Sequence, residues 1–218
     1  PKYNGLTASE SIPGYACYRT VEETYATMDR LAAARPTIAR VLDIGPSWEW
    51  QQSGGANGHR LRVLRLNNTA TDARYPVKQD MVVLAAIHAR EYTTAELSTR
   101  FAEWLVDRYG IDAEATWLVD NFRFHFILQA NPDGRKKAES GLSWRKNTDT
   151  SNGACSANNY GVDLNRNWSG RGGQVPKGSS GNACASNYRG PSAVSEAETQ
   201  AAMRYIVGTR GSNGVYSG

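Results

Sequence analysis

The apolar run from Met81 to Ile87 limits the folds open to this chain more than any other segment. It is short, rich in β-branched residues and without alternation, which predicts a strand buried on both faces of a sheet. Apolar residues at helical spacing follow from about Thr93 to Tyr109, and Gly110 ends that pattern. A buried strand followed by a long helix is typical of α/β proteins.

Helical and strand-like patterns also occupy the region before this run. Apolar spacing predicts a helix within residues 17–35, which ends before Pro36. The strand-like runs Ile38–Ile44 and His59–Leu66 flank a Gly-rich turn at 51–58, so we expect a hairpin. The element order predicts an α/β fold in which helices flank a mixed β-sheet.

Three more elements are predicted after the long helix: a helix at Ala113–Asp120, a strand at Phe122–Gln129 and a helix at Ser195–Gly208. Ser195 is the expected N-cap of the last helix. Residues 131–195 are rich in Gly, Asn and Ser with little periodicity, so we expect loops there. A loop region of this length in a compact domain usually carries function.

Composition and charge argue against a nucleic acid or a membrane as partner. Charged residues make up 21% of the chain and hydrophobic residues 40%, as in a globular protein. The net charge of +4 comes from interleaved basic and acidic residues, which is weak support for nucleic-acid binding. No apolar run approaches the ~20 residues that span a bilayer. We therefore expect neither a nucleic acid nor a membrane as partner.

The chain has three cysteines, Cys17, Cys155 and Cys184. Cys155 and Cys184 flank a loop rich in Gly, Ser and Asn, and a disulfide closing this loop would suit an oxidising compartment. The alternative is three unrelated thiols. The odd number leaves Cys17 either free or paired outside this sequence.

A motif with metal-binding chemistry follows the Met81–Ile87 run directly. His88 and Glu91 lie three residues apart at a predicted strand-to-helix turn, and ligands of open α/β sheets bind at such strand ends. Imidazole nitrogen and carboxylate oxygen are normal zinc ligands at ~2.0–2.2 Å, and a catalytic zinc needs a third protein ligand. Alternatively, His88 merely packs beside a charge pair at a helix start. The motif alone leaves both interpretations open.

Three downstream motifs are ambiguous when taken singly. Asn131–Arg135 contains Pro-Asp-Gly, which is ordinary turn chemistry. Trp144–Asn147 carries Arg and Lys, which suit either a solvated face or the binding of a carboxylate or carbonyl. In Gly161–Trp168, Asn165 and Arg166 are either structural loop residues or a clamp for a terminal carboxylate.

In this order, the motifs resemble the carboxypeptidase A-like family of zinc metallocarboxypeptidases, and within it most nearly the secreted bacterial carboxypeptidase T-like members. The resemblance covers nearly the whole chain and is specific as a joint pattern. The matching pieces are His-Ala-Arg-Glu at 88–91, Asn-Pro-Asp-Gly at 131–134, Trp-Arg-Lys at 144–146, Gly-Val-Asp-Leu-Asn-Arg-Asn at 161–167, Tyr-Arg-Gly-Pro-Ser-Ala at 188–193 and Ser-Glu-Ala-Glu-Thr at 195–199.

The resemblance implies a role for each matching residue of the site. His88 and Glu91 match the first two ligands of the single zinc ion. Arg145 matches the arginine that polarises the scissile carbonyl and stabilises the oxyanion. Asn165 and Arg166 match the pair that binds the C-terminal carboxylate of the substrate.

Further residues match supporting positions. Arg90 matches a residue that lines the subsites upstream of the cut, and Asp163 matches the carboxylate that orients the zinc-binding histidine. Cys155 and Cys184 lie where some family members have a disulfide. The resemblance also implies a secreted, extracellular protein.

The implied function is a zinc-dependent exopeptidase that hydrolyses the C-terminal peptide bond of peptides and proteins. The family's third zinc ligand, general-base glutamate and mobile-loop tyrosine have no match here. The remaining histidines, His59 and His125, are better interpreted as packing or surface residues. We therefore expect residues 1–218 to form the N-terminal part of a single catalytic domain. Alone it would be inactive, and its partner would be the remainder of that domain, possibly as a separate chain.

Other functions stay compatible with these residues. Some relatives within the resemblance cleave cell-wall peptides or remove other acyl groups. A non-catalytic binding module would keep the carboxylate clamp without hydrolysis. A plain α/β domain with coincidental motifs is disfavoured by six ordered matches.

Overall fold

The computed structural model describes residues 11–72, 78–169, 178–210 and 216–217. The chain divides into two compact units, each treated separately below. The first unit comprises Pro1–Asp43, Arg62–Ala85 and Tyr92–Gln129, and the second comprises Ile44–Leu61, Ala86–Glu91 and Ala130–Gly218.

A mixed sheet of four strands, with the order β1-β2-β4-β3, confirms the predicted fold class. The strands are β1 (Ala39–Pro46), β2 (Arg60–Leu66), β3 (Gln79–Leu84) and β4 (Phe122–Ile127). β2 pairs antiparallel with β4, and β3 pairs parallel with β4. The predicted hairpin is confirmed, because β1 and β2 are neighbours in the sheet.

Six α-helices lie in the described part of the chain. They are α1 (Val21–Ala34), α2 (Trp48–Gln52), α3 (Tyr92–Arg108), α4 (Ala113–Asn121), α5 (Pro132–Glu139) and α6 (Ala197–Val207). None of the described helices is long and apolar enough to cross a membrane. The predicted helices before Pro36, after the Met81 run and at 113–120 agree with α1, α3 and α4 within a few residues.

The core of the first unit lies between the sheet and its helices. Phe124 and Phe126 of β4 stack with ring centroids 5.8 Å apart, and Phe101 of α3 packs edge-on against both. Other buried members come from α1, such as Met28, and from β2, such as Leu64. Burial of these apolar side chains is the main stabilising contribution to this unit.

The prediction that the Met81–Ile87 run is buried on both faces is wrong. β3 ends at Leu84, and its first four residues are exposed, with Met81 42% and Val82 38% accessible. β3 stands last in the strand order of the described sheet. An apolar run predicts a strand, but its burial depends on neighbours that the run itself does not specify.

One helix of the second unit replaces a predicted turn. α5 begins where Pro-Asp-Gly predicted a turn, whereas α2 overlaps only the first two residues of the predicted Gly-rich turn, whose remaining residues 53–58 form turns and bends. Pro132 occupies the start of α5, where its missing N–H costs nothing, and Asn131 caps the helix by accepting from Gly134 N at 3.1 Å. A Cβ at Gly134 would lie 2.5 Å from the carbonyl oxygen of Lys146, so this close packing requires glycine.

The C-terminal helix also differs from expectation. α6 begins at Ala197, and its N-cap is Glu196, not Ser195. The Ser195 hydroxyl donates to Glu196 Oε1 at 2.6 Å instead of capping the helix. After Gly208, the described residues form the short antiparallel strands β5 (Thr209–Arg210) and β6 (Tyr216–Ser217).

Candidate active site

The His88–Glu91 turn lies in the second unit and brings two candidate metal ligands together. Ala86, just before the turn, has a left-handed backbone with φ 53°, which is uncommon for a residue with a side chain. Glu91 N donates to the His88 carbonyl at 3.1 Å and closes the turn. His88 Nδ1 then lies 2.9 Å from Glu91 Oε1. The His88 ring is buried, whereas the Glu91 side chain is 43% exposed and accessible to a ligand.

Asp163 contacts the other nitrogen of the His88 ring. Its Oδ1 lies 3.0 Å from His88 Nε2, and the carboxylate is fully buried. A carboxylate at this distance favours hydrogen on Nε2, and a metal ion held between His88 and Glu91 would then take the lone pair of Nδ1. Burial by itself would raise the pKa of Asp163, but hydrogen bonds from His88 and Arg145 and the Arg145 charge outweigh it and lower that pKa.

Arg145 contacts the same carboxylate through its second oxygen. Nη2 and Nε of Arg145 lie 2.9 and 3.2 Å from Asp163 Oδ2. Arg145 Nη1 is 3.7 Å from Glu91 Oε1. The Arg145 carbonyl accepts from Ala89 N at 3.1 Å, so the two segments that carry these side chains are joined through their backbones. The structure thus brings His88, Glu91, Asp163 and Arg145 together.

Asn165 and Arg166 lie on a 3₁₀ turn at Leu164–Arg166. Asp163 caps this turn, because its Oδ1 accepts from Asn165 N at 3.0 Å. The Asn165 side chain is exposed, and Arg166 Nη1 donates to the Asn165 carbonyl at 2.9 Å. The turn that carries the predicted clamp residues is therefore capped by the same carboxylate that contacts His88 and Arg145.

Arg90 lies in the same turn as the candidate ligands, and its side chain is exposed. Its Nη1 donates to Ser143 Oγ at 3.2 Å. Arg90 and Arg145 both line a cavity of about 130 Å³, together with Trp144 and Tyr160. This position is compatible with the predicted contact to substrate, which stays a prediction.

Lys146 has a buried ammonium group beside this site, whereas its motif left open a solvated face or the binding of a carboxylate or carbonyl. Nζ donates to the carbonyls of Asn159, Ala183 and Ala185 at 2.6, 2.9 and 3.1 Å. These bonds use all three donors of the ammonium group. Burial lowers the pKa of Lys146 to about 8. The Trp-Arg-Lys motif that contains Lys146 was the available signal, but it did not identify carbonyls as partners.

The disulfide between Cys155 and Cys184 is present, with Cα atoms 5.4 Å apart. It joins the two loops that supply carbonyls to Lys146. Cys17 is free and exposed. The alternative of three unrelated thiols is therefore wrong.

Two asparagines anchor the segment that carries Arg145. Asn131 Nδ2 donates to the carbonyl of Lys146 at 2.9 Å and to that of Ile87, next to His88, at 3.3 Å. Asn147 Nδ2 donates to Glu196 Oε2 at 2.7 Å and to Glu198 Oε2 at 3.2 Å.

Both glutamates that accept from Asn147 are buried. Burial raises the pKa of Glu196 and that of Glu198 to about 7. These groups therefore change charge near neutral pH, next to the segment that carries Arg145.

The two other histidines lie in separate ion-pair contacts. His59 Nδ1 is 3.0 Å from Asp133 Oδ1, and His125 Nε2 is 2.9 Å from Asp80 Oδ1. Within the described ranges, no cluster of three or more His, Cys, Asp or Glu side chains is arranged to hold a metal ion. His88 and Glu91 therefore stay a predicted pair of metal ligands.

The pair fits zinc by its donor chemistry. An imidazole nitrogen and a carboxylate oxygen, both normal zinc ligands, lie 2.9 Å apart at this turn. The buried carboxylate behind His88 is the usual support for a zinc-binding histidine.

Comparison with known proteins places the chain in a family. The profile described as zinc carboxypeptidase matches residues 24–217. This chain belongs to the zinc carboxypeptidase family. It is 32% identical to carboxypeptidase A1 of Sus scrofa over 204 residues, which cover 93% of this chain and 44% of the pig protein. It is 28% identical over 203 residues to zinc carboxypeptidase A 1 of Drosophila melanogaster, with 93% and 43% covered.

Solved structures agree with this assignment. The carboxypeptidase A of Helicoverpa armigera aligns with a TM-score of 0.71 and 28% identity, covering 91% of this chain and 44% of that one. Thrombin activatable fibrinolysis inhibitor aligns with a TM-score of 0.76 at 24% identity, with 92% and 48% covered, and shows the shared fold. The chain spans less than half the length of these relatives. The closer likeness to carboxypeptidase T-like bacterial members stays a prediction.

Proposed function

We propose that this zinc carboxypeptidase chain supplies part of the active site of an exopeptidase that hydrolyses the C-terminal peptide bond of peptides and proteins. The observation that carries the proposal is the position of Asp163, which contacts His88 through one oxygen and Arg145 through the other. One buried carboxylate therefore orients a candidate metal ligand and the cation expected to bind the scissile carbonyl.

In this proposal, His88 Nδ1 and Glu91 hold the zinc ion. Zinc, when bound, supplies a Lewis acid and lowers the pKa of a water toward ~7. Asp163 keeps hydrogen on His88 Nε2, so that Nδ1 remains a lone-pair donor. Arg145 donates N–H groups to the carbonyl oxygen where negative charge develops during hydrolysis.

Asn165 and Arg166 bind the free carboxylate of the substrate in this proposal. A guanidinium matches a carboxylate with two parallel hydrogen bonds. An internal peptide bond presents no carboxylate to Arg166, which favours cleavage at the C-terminus. Arg90 is exposed in the His88–Glu91 turn. In this proposal, it contacts substrate residues on the N-terminal side of the cleaved bond.

Residues 1–218 form the N-terminal part of a single catalytic domain, and its remainder provides the third zinc ligand and the general base. The chain's coverage of 44% of the pig relative supports this proposal. The exposed apolar residues Met81 and Val82 of β3 support it as well, because an unpaired apolar strand favours pairing with a further segment.

We further propose that the protein is secreted. The Cys155–Cys184 disulfide supports this, because disulfides persist in oxidising compartments. No described helix is suited to cross a membrane. The expected partners are peptide and protein C-termini.

The test uses the complete protein that contains this chain. Two peptides of equal sequence, one with a free C-terminal carboxylate and one with a C-terminal amide, are incubated with the zinc-loaded protein. We expect release of the C-terminal residue from the free acid only, loss of activity with a chelator, and recovery with zinc. Equal cleavage of the amide contradicts the exopeptidase assignment. Binding of the free acid without release of its C-terminal residue supports a non-catalytic binding module.

A further inference from the structure

A polar cavity of about 240 Å³ lies in the first unit, formed by residues that the proposed function does not use. It opens between the start of β1 and the segment after β2. The residues that line it are Pro36, Thr37, Ile38, Ala39, Arg40, Arg65, Asn67, Asn68, Thr69 and Ala70. Two arginines are its charged members.

The strand register places these arginines opposite one another. Asn67 N donates to the Ile38 carbonyl at 2.8 Å, and Ser47 N donates to the His59 carbonyl at 2.8 Å at the other end of the hairpin. β1 and β2 are therefore antiparallel. Counting from the nearer bond, between Ile38 and Asn67, brings Arg40 opposite Arg65, and the bond at the other end is offset from this register by one residue. Like charges at directly opposed positions of a sheet are destabilising.

Neither guanidinium is neutralised locally. Among the described residues, no hydrogen bond or ion pair is made by the side chain of Arg40 or of Arg65. Arg40 is exposed, whereas Arg65 is partly buried at the cavity wall. By contrast, the neighbouring Arg62 pairs with Asp29.

Neighbouring acceptors in the cavity wall already have donors. Lys78 Nζ donates to Asn67 Oδ1 at 2.8 Å and to the Asn68 carbonyl at 2.7 Å, and Ala70 N donates to Asn68 Oδ1 at 3.0 Å. Asp72, the acid nearest to this loop along the chain, pairs with Lys78 at 3.1 Å. Asp43, three residues after Arg40, has an interaction of its own. These acceptors therefore bind other donors, and Arg40 and Arg65 are left as the two cationic residues that line the cavity.

Charges on the rest of this sheet face do not change the balance. Arg65 is opposite His125 of β4. His125 lies 2.9 Å from Asp80, which also accepts from Arg123 at 2.8 Å. The nearest acid of β3 is therefore shared by two other groups.

We propose that Arg40 and Arg65 form a binding site for a tetrahedral oxoanion, a phosphate or sulfate group. A carboxylate has two oxygens, which one guanidinium fork satisfies. Two forks from neighbouring strands suit a group with three or four acceptor oxygens. Such a ligand also removes the repulsion between the opposed cations. The source of the group is either a free inorganic anion or a sulfate ester of a saccharide.

Calorimetric titration of the complete protein with inorganic sulfate, inorganic phosphate and a sulfated disaccharide tests the proposal, with chloride holding the ionic strength constant. The variants are Arg40→Gln, Arg65→Gln and their combination. Arg108→Gln, which removes an exposed arginine at the end of α3, is the matched control. We expect the double variant to weaken binding at least tenfold and the control to leave it unchanged.

The unfolding temperature gives a second readout that separates binding from folding defects. In chloride alone, we expect Arg65→Gln to unfold at the same or a higher temperature, because a repulsion is removed. Added sulfate should raise the unfolding temperature of the parent and the control, but not of the double variant.

Equal binding by the parent and the double variant, or no binding of any of the three anions by the parent, overturns the proposal. Tighter binding of the disaccharide than of both inorganic anions identifies a saccharide ester as the source. Equal or tighter inorganic binding identifies a free anion. Because this site lies outside the proposed peptidase residues, its failure leaves the peptidase proposal untouched.

Discussion

Asp163 Oδ1 lies 3.0 Å from His88 Nε2, and this contact links the candidate metal turn to the rest of the predicted site. The same carboxylate contacts Arg145 and caps the turn that carries Asn165 and Arg166. A single buried charge therefore orients groups that the family resemblance assigns to metal binding, carbonyl polarisation and substrate anchoring. Changes at Asp163 should disturb all three.

Replacing Asp163 with Asn should lower zinc affinity by about 10–100-fold, because the support of His88 is weakened. The rate of hydrolysis should fall as well, since Arg145 loses its ionic partner. Asp133→Asn, which alters a similar buried Asp–His pair with His59, is the matched control. Competition with a fluorescent zinc chelator measures affinity. Equal affinity in Asp163→Asn and the parent would contradict the role of Asp163.

Loss of either candidate ligand should abolish zinc-dependent activity of the complete protein. We expect His88→Ala and Glu91→Ala to retain less than about 1% of hydrolysis, because a catalytic zinc with three protein ligands loses one of them. Metal content after dialysis and peptide hydrolysis are the measurements. His125→Ala provides the control, since His125 contacts Asp80 instead. Full zinc content in both ligand variants would refute the assignment.

The disulfide should contribute measurably to stability. For a sequence separation of 29 residues, restriction of the unfolded chain corresponds to roughly 3–4 kcal/mol. The Cys155→Ser/Cys184→Ser variant should therefore lower the free energy of unfolding by up to this amount in denaturant titrations. Cys17→Ser is the control, because Cys17 is free and exposed. An unchanged unfolding midpoint for the double variant would show that the disulfide contributes little.

Stability should fall as pH rises from about 4.5 to about 7. Burial raises the pKa of Glu198 from 4.5 to about 7, so the folded state binds a proton that the unfolded state has already released in this range. The stabilisation is complete below the unfolded pKa and is lost as pH rises through the folded pKa. For one such group, the loss is on the order of 1–3 kcal/mol.

Glu198→Gln should remove much of this pH dependence, since a glutamine does not ionise. Glu114→Gln, at an exposed position of α4, is the control. It should leave the change of the free energy of unfolding with pH as it is in the parent. Free energies of unfolding measured at several pH values between 4.5 and 8 make the comparison. A slope that is identical in Glu198→Gln and the parent would exclude Glu198 as its source.

Several elements of the fold were predictable because their signals are local. Thr20 and Glu23 form a reciprocal capping box at the start of α1, where Thr20 Oγ1 accepts from Glu23 N at 3.2 Å. The spacing of Met28 and Leu31 marks the helical face that is buried. Such features involve residues within a turn or two of one another, so the sequence pattern is sufficient to predict them.

The predictions that failed depended on partners distant in sequence. Pro132–Gly134 is compatible with a turn or a helix start, and helix α5 was decided by packing of Gly134 against the Lys146 carbonyl. β3 has the composition of a central strand, yet it stands last in the described sheet, where β4 is its one neighbouring strand. Met81 and Val82 are therefore exposed.

The amino-acid sequence by itself determined the order of helices and strands, the family, and the candidate pair His88 and Glu91. Only the tertiary structure decided that Asp163 contacts both His88 and Arg145, that Lys146 binds three carbonyls, and that Arg40 and Arg65 line one cavity. The physical reason is that periodicity and capping act over a few residues. Burial, ion pairing and strand register instead depend on segments that are far apart in sequence and adjacent only after folding.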